Sequence, residues 1–163
     1  METRGVFAPA TREEARERYE EVGPAARVIV RETAKAMEFD ADEYGERVTS
    51  AVIETARDAT FAELLAVHLA EREEYREWLA ESEFDAEDVV ELGSEHVDRV
   101  AWHPVPFADT VVATTFQDGP DAAASTLRRN AFGRVYRDVF DDDSGAGDGS
   151  DADGSDVDAD ADE

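Results

Sequence analysis

The chain has 163 residues, 42 of them acidic and 16 basic, for a net charge of −26. Cysteine is absent, which excludes disulfides, thiolate metal centres, iron–sulfur clusters and a thiol nucleophile. No apolar run reaches the length of a signal-peptide core or of an uninterrupted membrane span, so one soluble, cytoplasmic domain of residues 1–140 is expected, followed by a tail.

Thr11-Arg-Glu-Glu14 has the form of a capping box, and Ala15, Tyr19 and Val22 follow at helical spacing, which predicts a helix over 12–22. Gly23-Pro24 closes that run and opens the next, in which Val28, Ile29, Thr33, Ala36 and Met37 mark an amphipathic helix to Glu38. Asp40-Ala-Asp-Glu43 starts a third helix, and Val48-Thr49-Ser50 either breaks it from the next or joins the two. The segment Thr49–Leu79 is the longest stretch free of Gly and Pro with apolar residues at helical spacing. It predicts a long helix from Ser50 to Ser82, bent near Ala70-Glu71, with one broad apolar face and one face of small residues.

After Phe84 the pattern changes to that of strands. Val89–Leu92, Val97–His103 and Thr110–Phe116 are rich in Val, Thr and aromatics, and PVPFAD supplies a turn. Alternation puts Arg99, Ala101 and His103 on one face of the middle strand and Val100 and Trp102 on the other. Asp118-Gly-Pro120 opens a helix to Phe132 with Gly133 beyond its end, and Val135–Phe140 reads as a last short strand. The expected architecture is α+β: a helical bundle over about 10–82, then a small antiparallel β-meander with a C-terminal helix and short strand over about 88–140. Residues 141–163 are low in complexity and acidic, and are expected to be a disordered tail.

The charge is not only a tail effect. Residues 141–163 hold eleven acidic residues and no basic one, which leaves 31 acidic against 16 basic in residues 1–140. Lys35 is the only lysine. Self-repulsion of this size destabilises a compact chain in dilute buffer, whereas at about 1 M salt the Debye length falls to roughly 3 Å and the repulsion is screened. A halophilic protein of a salt-rich cytosol is therefore expected, with counter-cations loosely held on its surface. Nucleic acid is a poor partner for such a chain, because counterion release yields little in molar salt and the acidic surface repels phosphates.

The runs ETRGVFAPAT, GPAARVIVRETAKAMEFD, RVTSAVIETARDATFAELLAVHL, LGSEHVDRVAWH, DTVVATTFQ and STLRRNAFGRVYR together resemble a haloarchaeal family catalogued only as a domain of unknown function, over about residues 1–140. The resemblance implies a salt-rich cytoplasm and a single domain. It implies no activity and no catalytic residues.

Candidate chemistry is sparse. Arg57 and His68 fall within the larger apolar arc of the long helix, yet eleven residues of helix separate them by roughly 16 Å, too far to grip one small ligand atom. Each is read first as a structural group and second as a binding residue. His103, with Arg99 on its face and Asp109 near the hairpin mouth, is the candidate acid–base site. Arg128, Arg129, Arg134 and Arg137 form the densest positive region, a candidate anion or RNA contact. No metal-ligand spacing, phosphate loop, nucleophile elbow or cofactor motif is present, and DGSDADGSD in the tail misses the calcium-loop pattern. The leading expectation is a non-enzymatic binding or protein-interaction domain, with an unidentified protein partner or a second copy as its occupant. A small hydrolase or transferase using His103 and an RNA-associated protein using Arg128–Arg137 are the alternatives.

Overall fold

A computed structural model describes the backbone of residues 1–145 and the side chains of residues 1–142. The class is α+β. The strands are β1 (Glu2–Arg4), β2 (Val67–Glu71), β3 (Val89–Leu92), β4 (Arg99–Val105) and β5 (Thr110–Phe116). Among the described residues they form one sheet in the order β1-β2-β4-β5-β3. The helices are α1 (Arg12–Glu21), α2 (Gly23–Ala36), α3 (Ala41–Arg47), α4 (Ser50–Glu63), α5 (Arg72–Glu81), α6 (Pro120–Ala131) and α7 (Arg137–Gly145).

Capping chemistry sets the helix starts, at α1 and α3 where the sequence predicts. Thr11 accepts from the Glu14 amide at the start of α1, Asp40 from Glu43 at α3, and Thr49 from Val52 at α4. Thr49 therefore separates α3 from α4, which resolves the ambiguity at Val48-Thr49-Ser50.

The long helix is where sequence and structure part. α4 stops at Glu63, and Leu64 and Leu65 close it with bonds to the Phe61 and Ala62 carbonyls. Val67–Glu71 is then a strand between β1 and β4, with His68 opposite both Thr3 and Trp102. Val67, His68, Leu69 and Ala70 satisfy helical and alternating patterns alike, and two flanking strands decide the outcome. Only α4 and α5, on either side, are helical.

Two further corrections concern the sheet and the C-terminus. The β4–β5 pair is an antiparallel hairpin, but β3 lies parallel to β5 at the sheet edge, so the three predicted strands are not a simple meander. Val135–Phe140 is helical: α6 passes through one π-helical turn at Phe132–Tyr136 and continues as α7. Phe132, Tyr136, Val139 and Phe140 are all buried, and their i, i+4, i+7, i+8 spacing is that of a helix face. The predicted acidic tail begins inside α7, and residues 146–163 lie outside the described residues.

The sheet separates two cores. Val67, Leu69, Ala101, Val105 and Val112 face α1, α4, α6 and α7, while Val100, Trp102, Val111 and Ala113 face Tyr75 of α5 and Phe84. Phe61 of α4 is fully buried and sits among Phe7, Tyr19, Phe132, Tyr136 and Phe140, with ring centroids 5.0–6.2 Å away. Gly5 lets the chain pass beneath α4, since a Cβ there would lie 2.3 Å from the Leu65 carbonyl oxygen. α2 packs on α4 from outside, so α2 stands away from the sheet. Among the described residues no helix is long and apolar enough to cross a membrane.

Candidate functional site

His103 is fully buried on the face of β4 that packs against α1, α4, α6 and α7. Its Nδ1–H donates to the Ala66 carbonyl at 2.6 Å, and its Nε2 accepts from the Tyr136 hydroxyl at 2.7 Å. The carbonyl fixes the tautomer, because only a protonated nitrogen can bond it. Burial holds the imidazole down at about pH 4, against the raising effect of the Ala66 carbonyl. Burial likewise raises the Tyr136 phenol well above its usual value. Both ring nitrogens are thus engaged in tying β4 to the β2 entry and to the π-helical turn.

Arg99 and Asp109 do not join His103. Arg99 is four residues back along β4, about 13 Å, where it stacks on Phe116 at 5.3 Å and lies 3.6 Å from Glu71. Asp109 is exposed, in a left-handed conformation in the β4–β5 turn. His68 sits on the other face of the sheet, half-buried against Trp78 and Trp102, with Nδ1 2.8 Å from the Thr3 hydroxyl. Burial lowers its pKa.

The arginines also part company. Arg128 is mostly covered, donates from Nε to the Leu65 carbonyl at 2.9 Å and lies 3.7 Å from Glu63, so it closes the C-terminal end of α4. Arg129, Arg134 and Arg137 are exposed, with Arg137 5.7 Å from the Phe132 ring centroid. Arg57 lies on the α2-facing side of α4, where its Nε donates to the Tyr19 carbonyl at 2.8 Å and its guanidinium covers the Tyr19 ring at 4.1 Å.

A concavity with a strongly apolar lining lies elsewhere, along the α2–α4 pair. Ile29, Val30, Thr33, Ala34 and Met37 of α2 and its end, Phe39, Arg47 and Val48 of the α3 region, and Val52 and Ala56 of α4 enclose a groove of about 260 Å³. Ile29 is 51% exposed, Met37 59% and Val52 42%. Arg47 is the one charged side chain in that lining, and it lies over the Phe39 ring at 5.3 Å. Exposed apolar surface gathered in one groove differs from the scattered apolar residues normal on a protein surface.

Sequence reasoning places these residues on amphipathic helices and treats their apolar faces as core. The readable signal was the triplet Val28-Ile29-Val30, which spreads over more of α2 than a single contact with α4 can cover.

No curated protein and no solved structure matches the chain. The sequence profile of a family of unknown function (DUF5809) matches residues 6–137. With most of its length matched, the chain belongs to that family.

Proposed function

We propose that the chain is a non-enzymatic protein-interaction domain whose α2–α4 groove takes an amphipathic helix of a protein partner. The observation that carries this reading is the groove itself, in which Ile29, Met37 and Val52 stay exposed although each is apolar enough to belong in a core. Two helices with a shallow apolar furrow between them offer a third helix a ready packing surface. Arg47 supplies the polar anchor, so the incoming helix is expected to bear a carboxylate at the edge of its apolar face. A second copy of the chain is the alternative occupant, since molar salt screens the repulsion between two chains of charge −26. The setting proposed is a salt-rich cytosol, supported by the acidic excess that persists through residues 1–140.

Methyl NMR in molar potassium chloride tests the groove. A synthetic helix with Leu at i, i+3, i+4 and i+7 and flanking Glu is expected to shift the Ile29, Met37 and Val52 methyl signals, and Val52→Asp to abolish the effect. Equal shifts for wild type and variant would contradict the reading, and concentration-dependent shifts without peptide would replace the partner helix by a second copy.

A further inference from the structure

The other flank of the α2–α4 pair carries a cleft of different character. It has a volume of about 320 Å³, and Arg27 of α2, Ser50, Ile53, Glu54 and Arg57 of α4, and Tyr19 line it. Arg57 is held in place there by the Tyr19 carbonyl bond and by stacking on the Tyr19 ring. Gly23 borders the guanidinium, and a Cβ there would stand in ordinary van der Waals contact with it, 3.6 Å from Cζ.

What distinguishes the cleft is that two guanidinium groups line one space and that one of them is held in place on Tyr19. Among the described residues neither Arg27 nor Arg57 has an ion-pair partner, and the terminal nitrogens of Arg57 make no hydrogen bond. Asp58, one residue along α4, is committed to the Tyr19 hydroxyl at 2.6 Å. The neighbouring cations of α2, Arg31 and Lys35, both lie against Glu32. Two guanidinium groups without a carboxylate partner and the Ser50 hydroxyl therefore share one cleft, with the terminal nitrogens of Arg57 unspent.

We infer that this cleft binds the oxyanion group of a small ligand, a phosphate monoester or a carboxylate, between Arg57 and Arg27. Planar guanidinium forks match such groups in bidentate fashion, and Arg57 loses little freedom on binding because Tyr19 already fixes it. Glu54 adds a requirement. Its carboxylate lines the same space, so it repels a bare dianion and favours a ligand with a hydroxyl or ammonium donor beside the oxyanion. Ile53 leaves room for a short apolar portion.

The test is an NMR titration of the full chain at constant ionic strength, following the Arg57 Nε–Hε signal, with inorganic phosphate and with acetate as probes. Saturable shifts with either probe are expected, and saturation by phosphate alone would assign the phosphate class. Arg27→Gln removes an exposed cation with no partner to lose, so the fold is retained and the affinity is expected to fall about tenfold. Glu54→Gln is expected to tighten phosphate binding, because it removes the repelling charge. Shifts that fail to saturate with both probes, or an affinity unchanged in Arg27→Gln, would overturn the inference. Neither outcome bears on the apolar groove, which lies on the opposite flank.

Discussion

His103 is the residue whose chemistry is set most completely by its surroundings. The imidazole is buried, neutral and bonded at both nitrogens, so it acts as a structural cross-brace between β4, the start of β2 and the π-helical turn. Its titration point lies at about 4 in the folded chain and near 6.5 in an unfolded one. Between those values the unfolded chain binds the extra proton, so His103 makes stability fall as pH drops from about 6.5 to about 4. Its full contribution is present above that window. The loss between pH 7 and pH 5 is expected to be about 2 kcal/mol, read from urea midpoints in molar potassium chloride. His103→Asn should flatten that part of the curve, leaving the smaller slope from His68, whose pKa burial also lowers. An unaltered pH profile in the variant would show that His103 is not buried neutral. The sequence offered His103 as a candidate acid–base group because Arg99 shares its face of the strand and Asp109 lies near the hairpin mouth. It could not reveal that Ala66 and Tyr136, 37 and 33 residues distant, would occupy both nitrogens.

At the scale of elements, Arg72 does what no local pattern announces. It opens α5, is nearly buried, and reaches Glu91 of β3 at 2.8 Å, the Val97 carbonyl at 3.0 Å and the Ser94 carbonyl at 3.1 Å. One guanidinium thus ties the helix on one face of the sheet to the loop that carries the chain from β3 to β4. Arg72→Gln leaves those carbonyls and a partly exposed Glu91 without their donor. It is expected to cost about 2 kcal/mol, with Glu91→Gln costing less because Glu91 retains access to water. Denaturant unfolding of both variants at fixed salt measures the difference, and an Arg72→Gln midpoint equal to wild type would contradict the assignment. Elements with a local signature were legible: the starts of α1 and α3 follow from Thr11 and Asp40, and β4 and β5 from their alternation. Elements defined by distant partners were not. Val67–Glu71 fits a helix and a strand equally well until β1 and β4 flank it, and Val135–Phe140 alternates like a strand although Phe132, Tyr136, Val139 and Phe140 bury one helical face. The α2–α4 groove was hidden for a related reason. An amphipathic pattern records that a face is apolar and not whether anything covers it.

For the whole molecule, charge and the exposed groove pull in opposite directions. A net charge of −26 keeps copies apart and opposes compaction in dilute buffer, while salt removes the repulsion and strengthens apolar contact. Helical circular dichroism is therefore expected to fall in low salt and to recover on addition of potassium chloride, whereas full helicity in salt-free buffer would contradict a salt-adapted chain. The same condition that stabilises the fold favours docking on Ile29, Met37 and Val52, so binding through the groove is expected to persist in molar salt where charge-driven contacts fade. Site-specific photo-crosslinking tests this most directly. A photoreactive residue is placed in turn at Ile29, Met37 and Val52 in the native host, with Val6, 73% exposed and outside the groove, as the control. The expected result is one protein crosslinked from all three groove positions and not from Val6, with the attachment mapped by mass spectrometry to a single amphipathic helical segment. Crosslinks to the same products from Val6 as from the groove, or none from the groove in molar salt, would contradict the proposed function.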